Sequence, residues 1–289
     1  MVTSLNSIVL STLYPINLEL TLKSGQSFRW IQKGILFEGV LGNSLVYLEN
    51  KGDSIEVTSF ESDNDRILKN IASYFRLDDE WEEMTQAIGK DIRIAEALMK
   101  YRGLRLLRQD PWETLIAFVT SSVSSIAKVS YCVEGLCQQF GSDLKLGSSI
   151  RYGFPSPAEL ARASEKELRS VGLGFRAGYI KEIAGYVSKE ELDLGFLKKL
   201  PYKSAKQWLM DLPGVGPKVA DCVLLYSLDK LEAFPVDRWI ERVLMDWYSN
   251  HKLRWVRDAQ SWAVSHFGKY AGYAELYLFQ HIRASSKQK

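Results

Sequence analysis

Residues 203–244 read KSAKQWLMDLPGVGPKVADCVLLYSLDKLEAFPVDRWIERVL. Two helical patterns flank Leu212-Pro213-Gly214-Val215-Gly216, where a proline and two glycines interrupt the periodicity. Glycine permits a sharp turn and leaves nothing to block close approach of the backbone. Pro217 then suits the first turn of the following helix. A helix–hairpin–helix unit is expected over 203–228. The free N–H groups at its second helix suit a phosphate, although the same punctuation serves any tight turn between helices. Lys218 falls in that first turn and meets the positive end of the helix macrodipole. This is a poor choice for stability but a sensible one for an amine that must attack carbon uncharged. The alternative is an exposed lysine whose stem covers apolar surface. Asp237 follows Phe234-Pro235-Val236 and precedes the amphipathic RWIERVL, so it is expected to cap a helix assigned to 235–250.

Upstream the pattern changes. Leu18, Leu20 and Leu22 alternate with Glu19 and Thr21, which predicts a strand that Phe28 and Trp30 continue. ILFEGVL and SLVYLE flank Gly42-Asn43, a two-residue hairpin signal, and DSIEVTS predicts a further strand. An antiparallel meander with one covered face follows from these segments. From residue 62 the period becomes helical, with Ile67, Leu68, Ile71 and Phe75 on one stripe. Helix starts recur at Asp110-Pro111-Trp112-Glu113, Ser156-Pro157-Ala158-Glu159 and Ser164-Glu165-Lys166-Glu167. Little strand signal follows residue 110, so a body of roughly ten helices is expected there. The fold class is α+β: an N-terminal antiparallel β-sheet domain with flanking helices (1–108) packed on a mainly α-helical body (109–289).

Composition narrows the function. Hydrophobic residues make up 46% and charged residues 25% of 289, an ordinary globular profile with no apolar run of membrane-spanning length. The opening MVTSLNSIVL lacks a basic region and cleavage site, and SSKQK at the other end carries no lipidation signal. A cytoplasmic, nucleoid-associated monomer without membrane contact is therefore expected. Cys132, Cys137 and Cys222 form no CxxC, and His251, His266 and His281 fit no short zinc spacing. No cofactor and no side-chain metal site are expected, and catalysis must use ordinary side chains. Residues 1–90 hold 8 Lys/Arg against 13 Asp/Glu, whereas 91–289 hold 29 against 22. The positive excess in the later part suits a polyanion, or simply a mixed solvated surface.

LPGVGPKVADC with Asp237 resembles the helix–hairpin–helix DNA glycosylase superfamily, specifically the 8-oxoguanine DNA glycosylases that form a Schiff base. The likeness continues at SGQSFRW (24–30), RLLRQDP (105–111), LGFRA (173–177) and YAGYA (270–274), and so spans most of the chain in order. It implies a bifunctional glycosylase and abasic-site lyase acting on double-stranded DNA that contains 8-oxoguanine. In that reading an extruded nucleotide is attacked by Lys218, with Asp237 as carboxylate partner. A glycosylase of the same fold for another damaged base is one alternative, and a non-catalytic DNA-binding protein is another.

By the same resemblance the Gly25 carbonyl accepts the N7–H that distinguishes 8-oxoguanine from guanine, whose N7 is an acceptor. Cys222 and Phe279 face the base, and Glu275, where the family usually has Gln, meets its Watson–Crick edge as a carboxylate that accepts guanine's donors and repels adenine. Phe175 is the wedge, where better-known relatives have Tyr, and Arg176 faces the orphaned base. Gly214 and Gly216 shape the DNA-binding hairpin, whose backbone carbonyls also offer a place for a cation. The asparagine-rich turn that reads the opposite base is Val123-Ser124-Ser125 here, the following Arg is Lys128, and the histidine after the aspartate is Trp239. Losing those polar contacts predicts a weakened preference for cytosine opposite the lesion.

Overall fold

The computed structural model describes residues 6–59, 64–248 and 256–286. Five strands form one antiparallel sheet in the order β1-β5-β4-β3-β2: β1 (Asn6–Ser11), β2 (Ile31–Lys33), β3 (Leu36–Leu41), β4 (Ser44–Asn50) and β5 (Ser54–Ser59). The meander expected from Gly42-Asn43 runs from β2 to β5, with Leu41 paired to Ser44 across the turn. β1, which no sequence signal singled out, returns to pair with β5, placing Ile8 opposite Val57 and Leu10 opposite Ile55. Alternation buries Val46, Leu48, Ile55 and Val57 against Ile67, Ile71 and Phe75 of α2 (Asn64–Tyr74) and its end.

Leu18 to Leu22 is not a strand but a short helix, α1 (Leu18–Leu22). The Asn17 side chain accepts from Leu20 N at 2.9 Å, and Leu18, Thr21 and Leu22 are buried, the i, i+3, i+4 stripe of a helix. The leucines misled because positions 18 and 22 satisfy both periods. Phe28 and Trp30 lie in the loop before β2.

Helices α3 (Trp81–Ile88) and α4 (Ile92–Lys100) contribute Met84, Ile88, Ile94 and Ala97 to the same core as the later helices. Among the described residues eleven α-helices follow residue 110, from α5 (Pro111–Thr120) and α6 (Ile126–Phe140) to α15 (Ala271–Ser286). Asp110 caps α5 as expected, and reciprocal capping boxes open α7 (Pro157–Arg162) and α8 (Glu165–Leu168). Glu113 instead reaches Arg29 at 3.3 Å. The expected lack of strands does not hold: β6 (Asp143–Leu146) and β7 (Ser149–Tyr152) form a hairpin. Leu146 packs on Val40 and Leu45 of the main sheet, a tertiary contact that four-residue strands depend on and sequence does not display. The remaining helices are α9 (Arg176–Ser188), α10 (Leu194–Lys199), α11 (Tyr202–Met210), α12 (Pro217–Ser227), α13 (Arg238–Tyr248) and α14 (Val256–Phe267). Residues 249 and 250 of the expected aspartate-capped helix, and His251, lie outside the described residues.

Sheet and body are joined by buried ion pairs. Arg29, 2% exposed, contacts Glu113 and Glu134 at 3.3 Å each, and Arg151 contacts Glu134 at 2.6 Å and Glu38 at 3.3 Å. Arg76, 1% exposed, meets Asp229 at 2.5 Å, which Arg108 also meets at 2.9 Å. No helix among the described residues is long and apolar enough to cross a membrane.

Candidate active site

The hairpin forms where the punctuation placed it, between α11 and α12. Gly214 has φ +76°, and a Cβ there would fall 2.4 Å from Tyr179 Cδ2, so both the backbone and the neighbour require glycine. Gly216 caps α12 in extended conformation with open space around it, followed by Pro217 at the first helical position. Beneath the turn, Asp221 accepts from Tyr202 Oη and Lys206 Nζ at 2.7 Å each, tying α11 to α12.

Lys218 is half-buried one residue further on. Its Nζ donates to Ser121 Oγ at 3.2 Å and lies 5.1 Å from the centre of the Phe118 ring. Phe118 stacks on Tyr226, with centroids 5.4 Å apart and planes 14° from parallel. Asp237 Oδ1 accepts from Trp239 N and Ile240 N at 2.9 Å each, the expected cap of α13. Among the described residues no ion pair within 4 Å joins Lys218 to a carboxylate.

Glu275, 4% exposed on α15, completes the cluster. Burial foremost, then the nearby Asp237, holds its carboxyl well above the usual carboxylate range against the pull of Lys218. Glu275 Oε2 has no hydrogen-bond partner among the described residues. That shift favours the uncharged acid over the expected carboxylate. The uncharged acid offers one donor and one acceptor, which pair with guanine and, with roles exchanged, with adenine. Rejection of adenine therefore does not follow from Glu275. Cys222, one helical turn from Lys218, is buried, which pushes its thiol up to about 12 and leaves it no nucleophile. Phe279, one turn beyond Glu275, is half-buried against the same core.

A second surface lies beside the hairpin. Phe175, 55% exposed, meets Tyr179 edge to face at 6.2 Å, and Tyr179 backs Gly214, so the candidate wedge and the hairpin share one support. Arg176 donates to the carbonyl of Ser122 at 3.0 Å and of Val123 at 3.3 Å, and its guanidinium lies 4.5 Å from the Phe175 centroid. Val123 is 87% exposed with φ +52°, a left-handed conformation that strains a β-branched residue. Lys128 lies over the Tyr131 ring at 4.8 Å, and Trp239 pairs with Arg242 at 5.4 Å.

Gly25 lies in the turn between α1 and β2. With φ +98° it occupies a place where a Cβ would come within 2.7 Å of Ile126 Cδ1. A cavity of about 450 Å³ is lined by Gly25, Ile126, Gln280 and Arg283; neither it nor one of about 590 Å³ beside Arg29 and Tyr131 includes Lys218. Among the described residues no group of three or more His, Cys, Asp or Glu is gathered as for a metal, and all three cysteines are free. Ser121, Phe118 and Tyr226 were not singled out from sequence. Each lies within or at the end of an apolar helical run, where nothing separates a site residue from core.

Residues 8–115 match the family described as 8-oxoguanine DNA glycosylase, N-terminal domain, and residues 116–259 match the HhH-GPD superfamily base excision DNA repair protein. The chain is 31% identical to a probable N-glycosylase/DNA lyase of Methanothermobacter thermautotrophicus, over 93% of this chain and 94% of that one. It is 35% identical to the Arabidopsis thaliana N-glycosylase/DNA lyase OGG1, over 91% and 76% respectively. The Clostridium acetobutylicum 8-oxoguanine glycosylase/lyase, solved with double-stranded DNA containing cytosine opposite 8-oxoG, superposes with a TM-score of 0.91 at 28% identity. That match covers 97% of this chain and 96% of that one.

Proposed function

The chain belongs to the 8-oxoguanine N-glycosylase/DNA lyase family of the HhH-GPD superfamily, and we propose from that premise that Lys218 and Asp237 carry its chemistry. The protein is a bifunctional DNA glycosylase and abasic-site lyase that excises 8-oxoguanine. Its substrate in this reading is duplex DNA with the damaged nucleotide turned out of the stack. The uncharged Lys218 amine forms a bond to C1′ as the C1′–N9 bond breaks and the base leaves. Asp237 stabilises positive charge developing on the sugar. One amine proton goes to the departing base and the other to O4′ as the sugar ring opens to an imine. The imine acidifies the C2′ proton, and its removal expels the 3′ phosphate by β-elimination.

The observation that carries this reading is the setting of Lys218. Its amine rests on a serine hydroxyl and an aromatic face rather than on a carboxylate, beside a buried acid with an unmet oxygen. Glu275 then meets the Watson–Crick edge between Cys222 and Phe279, and the Gly25 carbonyl accepts N7–H. Phe175 wedges the stack, with Arg176, Val123, Lys128 and Trp239 on the DNA side and Gly214 and Gly216 against phosphate. Val123 presents an apolar tip where a polar reader of the orphaned base would stand. Excision is accordingly expected to vary by less than about tenfold among the four opposing bases, since no bidentate base contact operates there. A strong cytosine requirement in single-turnover assays would refute that part.

Borohydride trapping on an oligonucleotide with one 8-oxoguanine tests the core of the reading. Lys218→Gln is expected to abolish the covalent adduct and lower excision by about 10³-fold or more. An adduct formed by that variant would remove Lys218 from the chemistry.

A further inference from the structure

α15 carries Glu275, Phe279 and Arg283 at successive four-residue steps, which place all three on one helical face. The first two belong to the proposed base pocket; the third has been given no role. Arg283 Nη1 donates to the carbonyls of both Lys23 and Ser24 at 2.8 Å. On the other side of the same turn Gln109 Nε2 donates to the Gln26 carbonyl at 2.7 Å, and the Gln26 side chain is itself held by Arg105 O and Leu107 N at 2.8 Å. Of the four consecutive carbonyls from 23 to 26, that of Gly25 alone has no hydrogen-bond partner among the described residues.

We propose that Arg283 is a positioning residue for lesion recognition, which fixes the Lys23–Ser24 carbonyls so that the Gly25 carbonyl stays aimed at N7–H of the base. The proposal rests on the reading of Gly25 as the N7–H acceptor. Glycine at φ +98° has little intrinsic preference for one backbone orientation, so residue 25 does not set its own carbonyl direction. The positive φ disfavours any side chain that would stiffen it. The restraint has to come from the neighbouring peptides, and Arg283 supplies it on one side as Gln109 does on the other. The same α15 that reads the Watson–Crick edge thereby also sets the Hoogsteen-side contact, linking the two halves of recognition through one rigid element.

A purely structural role is the alternative, since a cation in the last turn also complements the helix C-terminus. Two variants and two substrates separate them. Arg283→Met keeps the stem and removes the donors, whereas Arg283→Lys keeps one charged donor. Each is compared with wild type for single-turnover excision of 8-oxoguanine and for cleavage of a preformed abasic site, which has no base to read. Arg283→Met is expected to slow 8-oxoguanine excision about 10- to 100-fold, the worth of one hydrogen bond to a buried donor, with abasic-site cleavage within about twofold. Arg283→Lys should fall between. Equal loss on both substrates, or no loss on either, overturns the proposal. Binding in the Lys218→Gln background to duplexes with 8-oxoguanine or 8-methoxyguanine, which lacks N7–H, locates any failure. If Lys218→Gln binds both alike, the Gly25 reading fails and the Arg283 role with it. If Lys218→Gln discriminates and adding Arg283→Met leaves the ratio unchanged, only the role of Arg283 is overturned.

Discussion

The junction between sheet and body and the cluster around Lys218 both bury charged residues, but they treat them differently. At the junction three buried guanidinium groups have carboxylates: Arg29 has Glu113 and Glu134, Arg151 has Glu134 and Glu38, Arg76 has Asp229. Around Lys218 no carboxylate among the described residues pairs with the amine, and Glu275, its carboxyl pushed well above the usual range by burial, has one oxygen unmet. Asp221, adjacent to Cys222 in sequence, belongs to the first kind, since Lys206 and Tyr202 satisfy it. Paired charge fixes one arrangement, whereas unpaired groups in a desolvated site keep reactivity for a ligand.

Breaking the paired region should cost most in stability. Arg29→Met leaves Glu113 without its cation and Glu134 with Arg151 alone, and is expected to destabilise by about 3–5 kcal/mol in urea unfolding. Abasic-site cleavage per folded molecule should stay near wild type. A loss below about 1 kcal/mol would mean that the junction does not depend on its pairing. Breaking the unpaired region should do the reverse. Asp237→Asn preserves the cap of α13, because asparagine accepts the same backbone bonds, so melting should hardly move. Excision should nevertheless fall about 100-fold or more, as expected for loss of a carboxylate acting at the reacting sugar. A decline no larger than the loss of folded protein would reduce Asp237 to a cap.

The same division explains what the sequence disclosed. The placement of Lys218 and Asp237 at helix starts was legible because backbone punctuation marks them: a Pro-Gly hairpin before one, a Phe-Pro turn and helix start around the other. The capping boxes at Ser156 and Ser164 and the Gly42-Asn43 turn were legible for the same reason, as local chemistry with local consequences. Tyr226, Ser121 and Arg283 were not, because an apolar helix, a serine-rich turn and a terminal basic residue acquire meaning only from neighbours brought by folding. The β6–β7 hairpin was lost likewise, its stability resting on Val40 and Leu45 more than a hundred residues before Leu146 (about 100 residues of intervening chain, beyond any local signal). The upward shift at Glu275 was not legible either, because a glutamate reads as a carboxylate until its surroundings are known.

That shift gives the finest test of the comparison. With a folded-state pKa above the unfolded value of about 4.3, Glu275 makes the folded protein bind more protons than the unfolded chain at intermediate pH. Its contribution to stability is then most favourable below about pH 4.3 and declines as pH rises, by up to about 1.4 kcal/mol per pH unit, until the folded pKa is reached. Glutamine does not titrate yet offers an acceptor and donors in the same place. Glu275→Gln is therefore expected to gain stability over wild type as pH rises above about 4.3 and to approach it towards pH 4, while excising 8-oxoguanine within about tenfold of the wild-type rate. Glu275→Leu should show the same stability trend without the excision, since it satisfies the core but not the base. A stability gap that does not widen with pH would mean that Glu275 is ionised in the fold and paired after all, and the contrast between the two regions would disappear.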